Sequence, residues 1–194
     1  MSIDQIMIQC ASPSLCKIKP ANLFSIQTSA WSQEKLSAWR KEFAAQGITF
    51  SLLRSSENSF LAFVYNFEWI QALLAGSEAR RFLALKNYPV QEGARAVLNE
   101  LLFRLNQASK KGEKKFPHEV GIFLGYPLSD VAAFESRKGQ GAAARGCWKS
   151  YSNCVDARRT WELYKNCAKF FEERFKSGRK IQQIVREFKS LNKR

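Results

Sequence analysis

One short segment of the sequence concentrates side chains that could take part in chemistry. Residues 116–127 read FPHEVGIFLGYP and contain the single histidine, His118, beside the carboxylate Glu119. Adjacent residues on a helix point about 100° apart, so these two side chains seldom form an acid–base pair. Because Pro117 places His118 at a predicted helix start, the helix dipole favours a neutral imidazole, which can ligate a metal or accept a proton. The alternative is a structural histidine that caps this helix and packs on Tyr126.

The five cysteines are the other reactive side chains: Cys10, Cys16, Cys147, Cys154 and Cys167. No two have the spacing of a zinc ribbon or a thioredoxin motif, and the odd count favours reduced thiols buried as small apolar groups. Two alternatives stay open: a metal site that combines cysteines with His118, and a nucleophilic Cys10 or Cys147 paired with His118. The sequence has no HExxH, Walker A, GxGxxG or GxSxG motif, which argues against hydrolases and nucleotide-binding proteins of known design.

The net charge of +14 is concentrated in the second half of the chain. Residues 1–98 carry a net +3, and residues 99–194 carry a net +11. A basic region of this size attracts an anionic partner such as nucleic acid, a phosphorylated cofactor, a haem propionate or an acidic protein. Scattered lysines also occur for solubility alone.

A nucleic-acid-binding role has one local feature in its favour. Residues 118–124, a turn at Gly125 and a second helix from Ser129 have the outline of a helix-turn-helix. The Tyr126-Pro127 pair fits the tight turn of that motif poorly. The second helix also begins with Asp130, which is acidic where phosphates and bases would be met.

Composition and apolar runs indicate a folded protein of the cytoplasm. Hydrophobic residues make up 45% of the chain and aromatic residues 13%, enough to build a core. The longest apolar runs, residues 48–53 and 60–65, are far shorter than the roughly 20 residues that span a bilayer. Residues 1–5 lack the basic and apolar regions of a signal peptide, so we expect a cytoplasmic location.

Hydrophobic periodicity predicts helices and one β-hairpin after an irregular start. Residues 1–30 are expected to be irregular, because Ser12-Pro13 and Lys19-Pro20 interrupt any long helix. The predicted elements that follow are helices over residues 32–46, 66–74, 77–86 and 90–108, with hairpin strands over 48–53 and 60–65. Helices should cover one face of this hairpin.

The second half of the chain is predicted to be mainly helical. Residues 110–115 form a linker, residues 139–142 a flexible link, and residues 147–151 a short strand. Asp156 is expected to cap a helix that Ser177-Gly178 ends, and residues 181–191 form the last helix. The sequence therefore predicts an α+β fold, predominantly helical, with a small antiparallel β-sheet and a C-terminal helical hairpin. We expect a single domain over residues 1–194. Its N-terminal α+β part would cover 1–108. The range 116–194 would hold the FPHEVGIFLGYP stretch and its continuation, which we call the motif segment, and the basic C-terminal hairpin.

Several blocks of sequence carry a family resemblance. They are FPHEVGIFLGYP at 116–127 with Asp130-Val131 and Phe134 after it, CWKSY at 147–151, an opening block over 10–24 and YKNC at 164–167. With them the chain resembles a bacterial family of unknown function found largely in anaerobic Firmicutes, over nearly its whole length. That family usually has histidine where this chain has Gln9, and valine where it has Ser150. The resemblance implies a role in redox or iron handling, with haem, flavin or iron as the cofactor.

Together these features predict an accessory or binding protein that holds an anionic ligand or a redox or iron-related cofactor. An enzyme is not favoured. His118 would be the polar ligand or hydrogen-bond donor, Lys149 the anion partner, and the Tyr126 and Trp148 rings the apolar walls. The full set of candidate ligand-binding residues is His118, Glu119, Tyr126, Cys10, Trp148, Lys149 and Tyr151. The alternatives are nucleic-acid binding through the basic half, a thiol-dependent enzyme, and a structural role that binds a protein partner.

Overall fold

The computed structural model describes residues 1–54, 56–109 and 116–191, and it confirms the predicted α+β class with its small antiparallel sheet and C-terminal pair of helices. The predicted linker at 110–115 lies outside these ranges. The elements in chain order are α1 (Ile3–Leu15), β1 (Ala21–Gln27), α2 (Gln33–Ala44), β2 (Ile48–Arg54), β3 (Ser59–Asn66), α3 (Phe67–Leu74), α4 (Ser77–Ala84), α5 (Ala94–Ser109), α6 (Val120–Phe123), α7 (Leu128–Ser136), β4 (Ala144–Arg145), β5 (Lys149–Ser150), α8 (Cys154–Lys176) and α9 (Ile181–Leu191).

The main sheet has the strand order β1-β3-β2, and both pairings are antiparallel. The predicted hairpin of β2 and β3 is confirmed, with Ile48 opposite Asn66. β1 adds a third strand, in which Ala21 lies opposite Tyr65. The predicted strand near residue 149 is present as β5, which pairs with the two-residue strand β4.

The prediction of an irregular start was wrong, because residues 3–15 form a helix. Ser2 and Gln5 make a reciprocal capping box that satisfies free amide groups at the start of α1. Pro13 lies inside the helix, but α1 ends at Leu15, so the missing amide affects only its last turn. The apolar side of α1 then packs into the core, with Met7 and Ile8 both buried.

Three helices begin at a residue other than the one predicted, or have a different capping residue. α5 begins at Ala94 rather than at residue 90, because Gly93 takes a φ of +90° that separates a short 3-10 turn from the helix. α8 begins with Asn153 as its cap, one turn before the predicted Asp156. Ser77 is the first residue of α4 rather than its cap.

Both faces of the main sheet are covered, where the sequence predicted cover on one. Successive side chains on a strand point to opposite faces, and β3 follows this rule. Val64 packs into a core with α1, α2, α8 and α9. Its neighbours Phe63 and Tyr65 pack into a second core with α3, α5 and the segment around Phe123. The sheet therefore connects the terminal helices to the motif segment.

Candidate functional site

A cavity of about 260 Å³ lies between the motif segment, α7 and the short β4–β5 hairpin. Its walls are mainly aromatic. The rings of Tyr126 and Trp148 are stacked with their centroids 4.9 Å apart. His118 meets Phe134 edge-on at 5.0 Å on another side, and Lys149 also lines the space. We call this space the aromatic cavity.

Four of the predicted site residues therefore share one cavity: His118, Tyr126, Trp148 and Lys149. The two large rings are fixed by hydrogen bonds at their polar ends. The Tyr126 hydroxyl donates to the carbonyl oxygen of Cys147 at 3.1 Å, and the Trp148 indole donates to Asp130 at 2.8 Å. Because the polar ends are occupied and the two rings cover each other's inner faces, the stacked pair forms one rigid apolar wall of the cavity.

Asp130 is the central polar residue of this region, and the sequence did not single it out as a site residue. Its side chain is 2% exposed and accepts hydrogen bonds from Trp148 Nε1 and the Tyr151 amide, each at 2.8 Å, and from Ser152 Oγ at 3.3 Å. Burial alone would raise the pKa of this carboxyl, but the hydrogen bonds outweigh burial and hold the pKa below its usual value. The buried carboxylate thus joins α7 to the segment that carries Trp148.

Two glycines let the walls of the aromatic cavity come together. A Cβ atom on Gly146 would lie 2.3 Å from the Trp161 ring, and one on Gly121 would lie 2.7 Å from Val131. Both distances are far below normal contact, so any larger residue would push these segments apart. A glycine in an otherwise bulky sequence was the available signal of this close approach.

Within the part of the chain that the structure describes, no three histidine, cysteine or acidic side chains gather closely enough to hold a metal ion. No helix of the described ranges is long and apolar enough to cross a membrane.

Comparison with known proteins assigns a family. The model of DUF3793, a family of proteins of unknown function, matches residues 6–185, which is most of the chain. The chain belongs to the DUF3793 family. Searches among curated proteins and among solved structures found no match. The predicted membership of a family of unknown function is therefore confirmed.

In this DUF3793 member, Glu119 faces away from the aromatic cavity and takes part in a separate cluster. It accepts hydrogen bonds from Tyr88 Oη at 3.0 Å and from Arg104 Nη1 at 3.3 Å. The Arg104 guanidinium also lies 4.0 Å from the centre of the Tyr88 ring. Burial, followed by the nearby Glu119 charge, raises the pKa of Tyr88 above its usual value. This cluster joins the motif segment to α5.

Cys10 and Tyr151 are not among the residues that line the aromatic cavity. Cys10 packs against a small cluster on α1 and β1 that includes Ile6 and Ile26, and burial raises the pKa of its thiol. Tyr151 contributes its backbone amide to Asp130, as described above. Its ring lies 5.4 Å from the Arg137 guanidinium.

Lys19 is a second residue that the sequence did not single out. It is 4% exposed, and its Nζ atom lies 5.2 Å from the centre of the Tyr126 ring and 5.4 Å from that of Tyr164. Burial lowers the pKa of Lys19 to about 8, although the nearby Cys147 works in the opposite direction. Tyr126 therefore has Trp148 on one side and a buried amine near its ring.

The segment predicted to resemble a helix-turn-helix has features that do not favour DNA recognition. α6 is a single turn, and its residues are all buried. Asp130, near the start of α7, is buried and hydrogen-bonded. On α8, the cations Lys169 and Lys176 pair with acids one turn away, which weakens the local positive potential.

Proposed function

We propose that the chain binds a small, planar, anionic ligand in the aromatic cavity, acting as a binding or accessory protein rather than as an enzyme. The observation that carries this proposal is that stacked aromatic walls and a lysine ammonium line the same small space. Flat apolar walls favour a flat ligand, and a few polar groups fix its orientation. We further expect this binding to take place in a bacterial cytoplasm.

Lys149 supports the anionic part of the proposal. Its ammonium donates one hydrogen bond, to the carbonyl oxygen of Gly139 at 2.8 Å, and lies 5.4 Å from the centre of the Phe134 ring. An ammonium group has three donors, and within the described ranges no other acceptor or acidic group pairs with this one. Two donors are therefore available to a carboxylate or similar group on a ligand.

His118 supports a polar contact on another wall. Its ring meets Phe134 at 5.0 Å and Phe116 at 5.9 Å. Among the residues that the structure describes, none forms a hydrogen bond with this imidazole. A half-buried imidazole without a protein partner can donate to or accept from a ligand in the cavity.

The volume of the cavity limits the size of the ligand. About 260 Å³ is below the range of roughly 300–1,000 Å³ that is usual for pockets that bind drug-sized molecules. We therefore propose a ligand of one or two rings. A haem or a flavin, which the family resemblance suggested, would be enclosed only in part.

The proposal is tested by ligand-observed NMR with benzoate and indole-3-carboxylate, compared with the matching uncharged amides. We expect saturation transfer to the acids and weaker transfer to the amides. Lys149→Met should weaken binding of the acids by at least about tenfold, the usual value of a hydrogen bond to a charged group. Lys165→Met, which removes an exposed lysine of α8, is the matched control and should leave affinity unchanged. Equal binding of acids and amides, or no binding of either, would overturn the proposal.

A further inference from the structure

We propose that the ligand of the aromatic cavity is an aromatic ring that carries a phosphate group, and that Arg145 is the residue that selects phosphate over carboxylate. This inference rests on the binding function proposed above and names the chemical class of the ligand. Its basis is a pair of cations, Arg145 and Lys149, which the β4–β5 hairpin holds directly opposite each other beside the cavity.

The pairing register of the hairpin brings Arg145 and Lys149 together. The two residues are direct partners in the antiparallel pair, so both side chains leave the same face of the hairpin. At the next pair, the Gly146 amide donates a hydrogen bond to the Trp148 carbonyl oxygen at 3.0 Å. Because bonded and non-bonded pairs alternate along an antiparallel ladder, Arg145 and Lys149 form a non-bonded pair, whose Cα atoms lie about 4.5 Å apart and whose side chains are close.

Lys149 connects this pair of cations to the aromatic cavity. Its side chain lines the cavity, and so does Gly146, the residue after Arg145. Lys149 is half-buried, whereas Arg145 is exposed. The Arg145 guanidinium can therefore approach an anion at the Lys149 ammonium from the solvent side, while the rest of the ligand lies against the aromatic walls.

Within the part of the chain that the structure describes, no acidic side chain forms a salt bridge with either cation. The two acids of the neighbouring helix α7 have other partners. Asp130 accepts hydrogen bonds from Trp148 and Tyr151, and Glu135 pairs with Lys86. Like charges directly opposite each other destabilise a pair of strands. An anion bound by both cations would remove this repulsion.

The number of donors and the total charge favour phosphate over carboxylate. The Lys149 ammonium has two donors left after its hydrogen bond to Gly139, and the Arg145 guanidinium has five N–H donors in a planar fork. A carboxylate carries a single charge, which the ammonium alone can match. A phosphate monoester carries about 1.5–2 negative charges near neutral pH and three acceptor oxygens. Two of these oxygens can accept the arginine fork while the third accepts from the lysine.

The size of the cavity sets the orientation of such a ligand. A cavity of about 260 Å³ has room for the ring, and the exposed position of Arg145 places the phosphate on the solvent side. A charged group that keeps part of its hydration costs less to bind than one that is fully buried. The ligand therefore binds with its ring inwards and its phosphate outwards.

The test is an NMR titration of the full chain at pH 7 with phenyl phosphate, benzoate and inorganic phosphate. Phenyl phosphate should bind at least about tenfold more tightly than benzoate, because it adds charge-assisted hydrogen bonds to the guanidinium. Inorganic phosphate should bind at least about tenfold more weakly than phenyl phosphate, because it lacks the ring that contacts the aromatic walls.

Three variants separate the roles of the two cations. Arg145→Met should weaken phenyl phosphate by at least about tenfold and benzoate by less than about twofold, because only the phosphate reaches the guanidinium. Lys149→Met should weaken both ligands. Arg186→Met, which removes an exposed arginine of α9, is the matched control and should change neither affinity. Arg145→Met should also keep or raise the melting temperature, since it removes a contact between like charges, and this measurement separates lost binding from unfolding.

The outcomes distinguish this inference from the binding function on which it rests. The choice of phosphate is wrong, and the binding function stands, if benzoate binds as tightly as phenyl phosphate or if Arg145→Met affects the two ligands equally. Both proposals are wrong if neither ligand binds. Inorganic phosphate that binds as tightly as phenyl phosphate would also refute the inference, because the anion would then bind without help from the cavity.

Discussion

Replacing Asp130 by asparagine should destabilise the protein by about 2–4 kcal/mol. The carboxylate accepts three hydrogen bonds, and an asparagine amide keeps one acceptor oxygen but places an NH₂ group where the second oxygen was. That NH₂ group would face either the Trp148 indole donor or the Tyr151 amide donor. Losing a hydrogen bond to a charged group costs about 1.5–3 kcal/mol, and leaving a buried donor unpaired costs about 1–3 kcal/mol. The two losses overlap, which gives the range stated.

The assay is urea unfolding followed by circular dichroism, carried out at several pH values from 7 down to 3. Because hydrogen bonds hold the pKa of folded Asp130 below the unfolded value of about 3.9, the stability that this carboxylate contributes is complete above that pH. It is lost as the pH falls through the folded pKa. The asparagine variant has no such proton to bind, so the difference between the two proteins should shrink in acid.

The matched control is Glu162→Gln, the same change of a carboxylate to an amide. Glu162 is exposed in the middle of α8, so the carboxylate contributes little to stability there. This variant should change the unfolding free energy by less than about 0.5 kcal/mol. The reasoning about Asp130 fails if its variant behaves like the control at pH 7, or if the difference from the natural chain stays constant down to pH 3.

Two further substitutions test the packing around the motif segment. Gly146→Ala should cost about 1–3 kcal/mol because the new methyl group would overlap the Trp161 ring, whereas Gly76→Ala, whose Cβ would meet only ordinary contacts, should be near neutral in the same urea assay. Glu119→Gln should cost about 1.5–3 kcal/mol because it removes the charge that pairs with Arg104. The loss in Glu119→Gln should persist in large part in 0.5 M salt, since the Glu119 carboxylate is buried and screening is weak there, and a loss abolished by salt would contradict this expectation.

Local sequence pattern was sufficient where an element is stabilised by its own residues. The cap at Ser32 and the apolar face of α2 predicted that helix, and β-rich runs predicted β2 and β3. β1 was missed because its sequence, ANLFSIQ, lacks a clear alternation and becomes a strand through pairing with β3. α1 was missed because Pro13 was given more weight than tertiary packing, which outweighs helix propensity.

Part of the candidate site was also predictable, because residue type alone identified several of its members. Unusual residue types identified His118, Tyr126, Trp148 and Lys149, and these do share a cavity. Their role in binding a ligand remains a prediction. Cys10 and Glu119 were grouped with them by sequence blocks, yet they pack elsewhere, because a shared block says nothing about side-chain direction.

Asp130 and Lys19 lie within the sequence blocks that carry the family resemblance, but their residue types alone did not mark either as a site residue. An aspartate near the start of a helix and a lysine before a proline are ordinary features of surface sequence. Their burial depends on distant partners: Asp130 binds the segment around Trp148, and Lys19 packs on tyrosines from two other elements. Long-range contacts of this kind leave no periodic signal in the chain.

The core that joins α1 to α8 and α9 also has a consequence for the order of events during synthesis. The apolar side of α1 is completed by Phe171, Ile184 and their neighbours, which come late in the chain. At about 5–20 residues per second, roughly 150 residues of translation separate the two groups, a delay of about 8–30 s. Throughout that interval the apolar face of α1 is covered only in part, by β1, β3 and residues of α2. The nascent chain therefore presents an early binding surface for chaperones, and substitutions that make α1 more hydrophobic should reduce its yield in cells before they affect the finished fold.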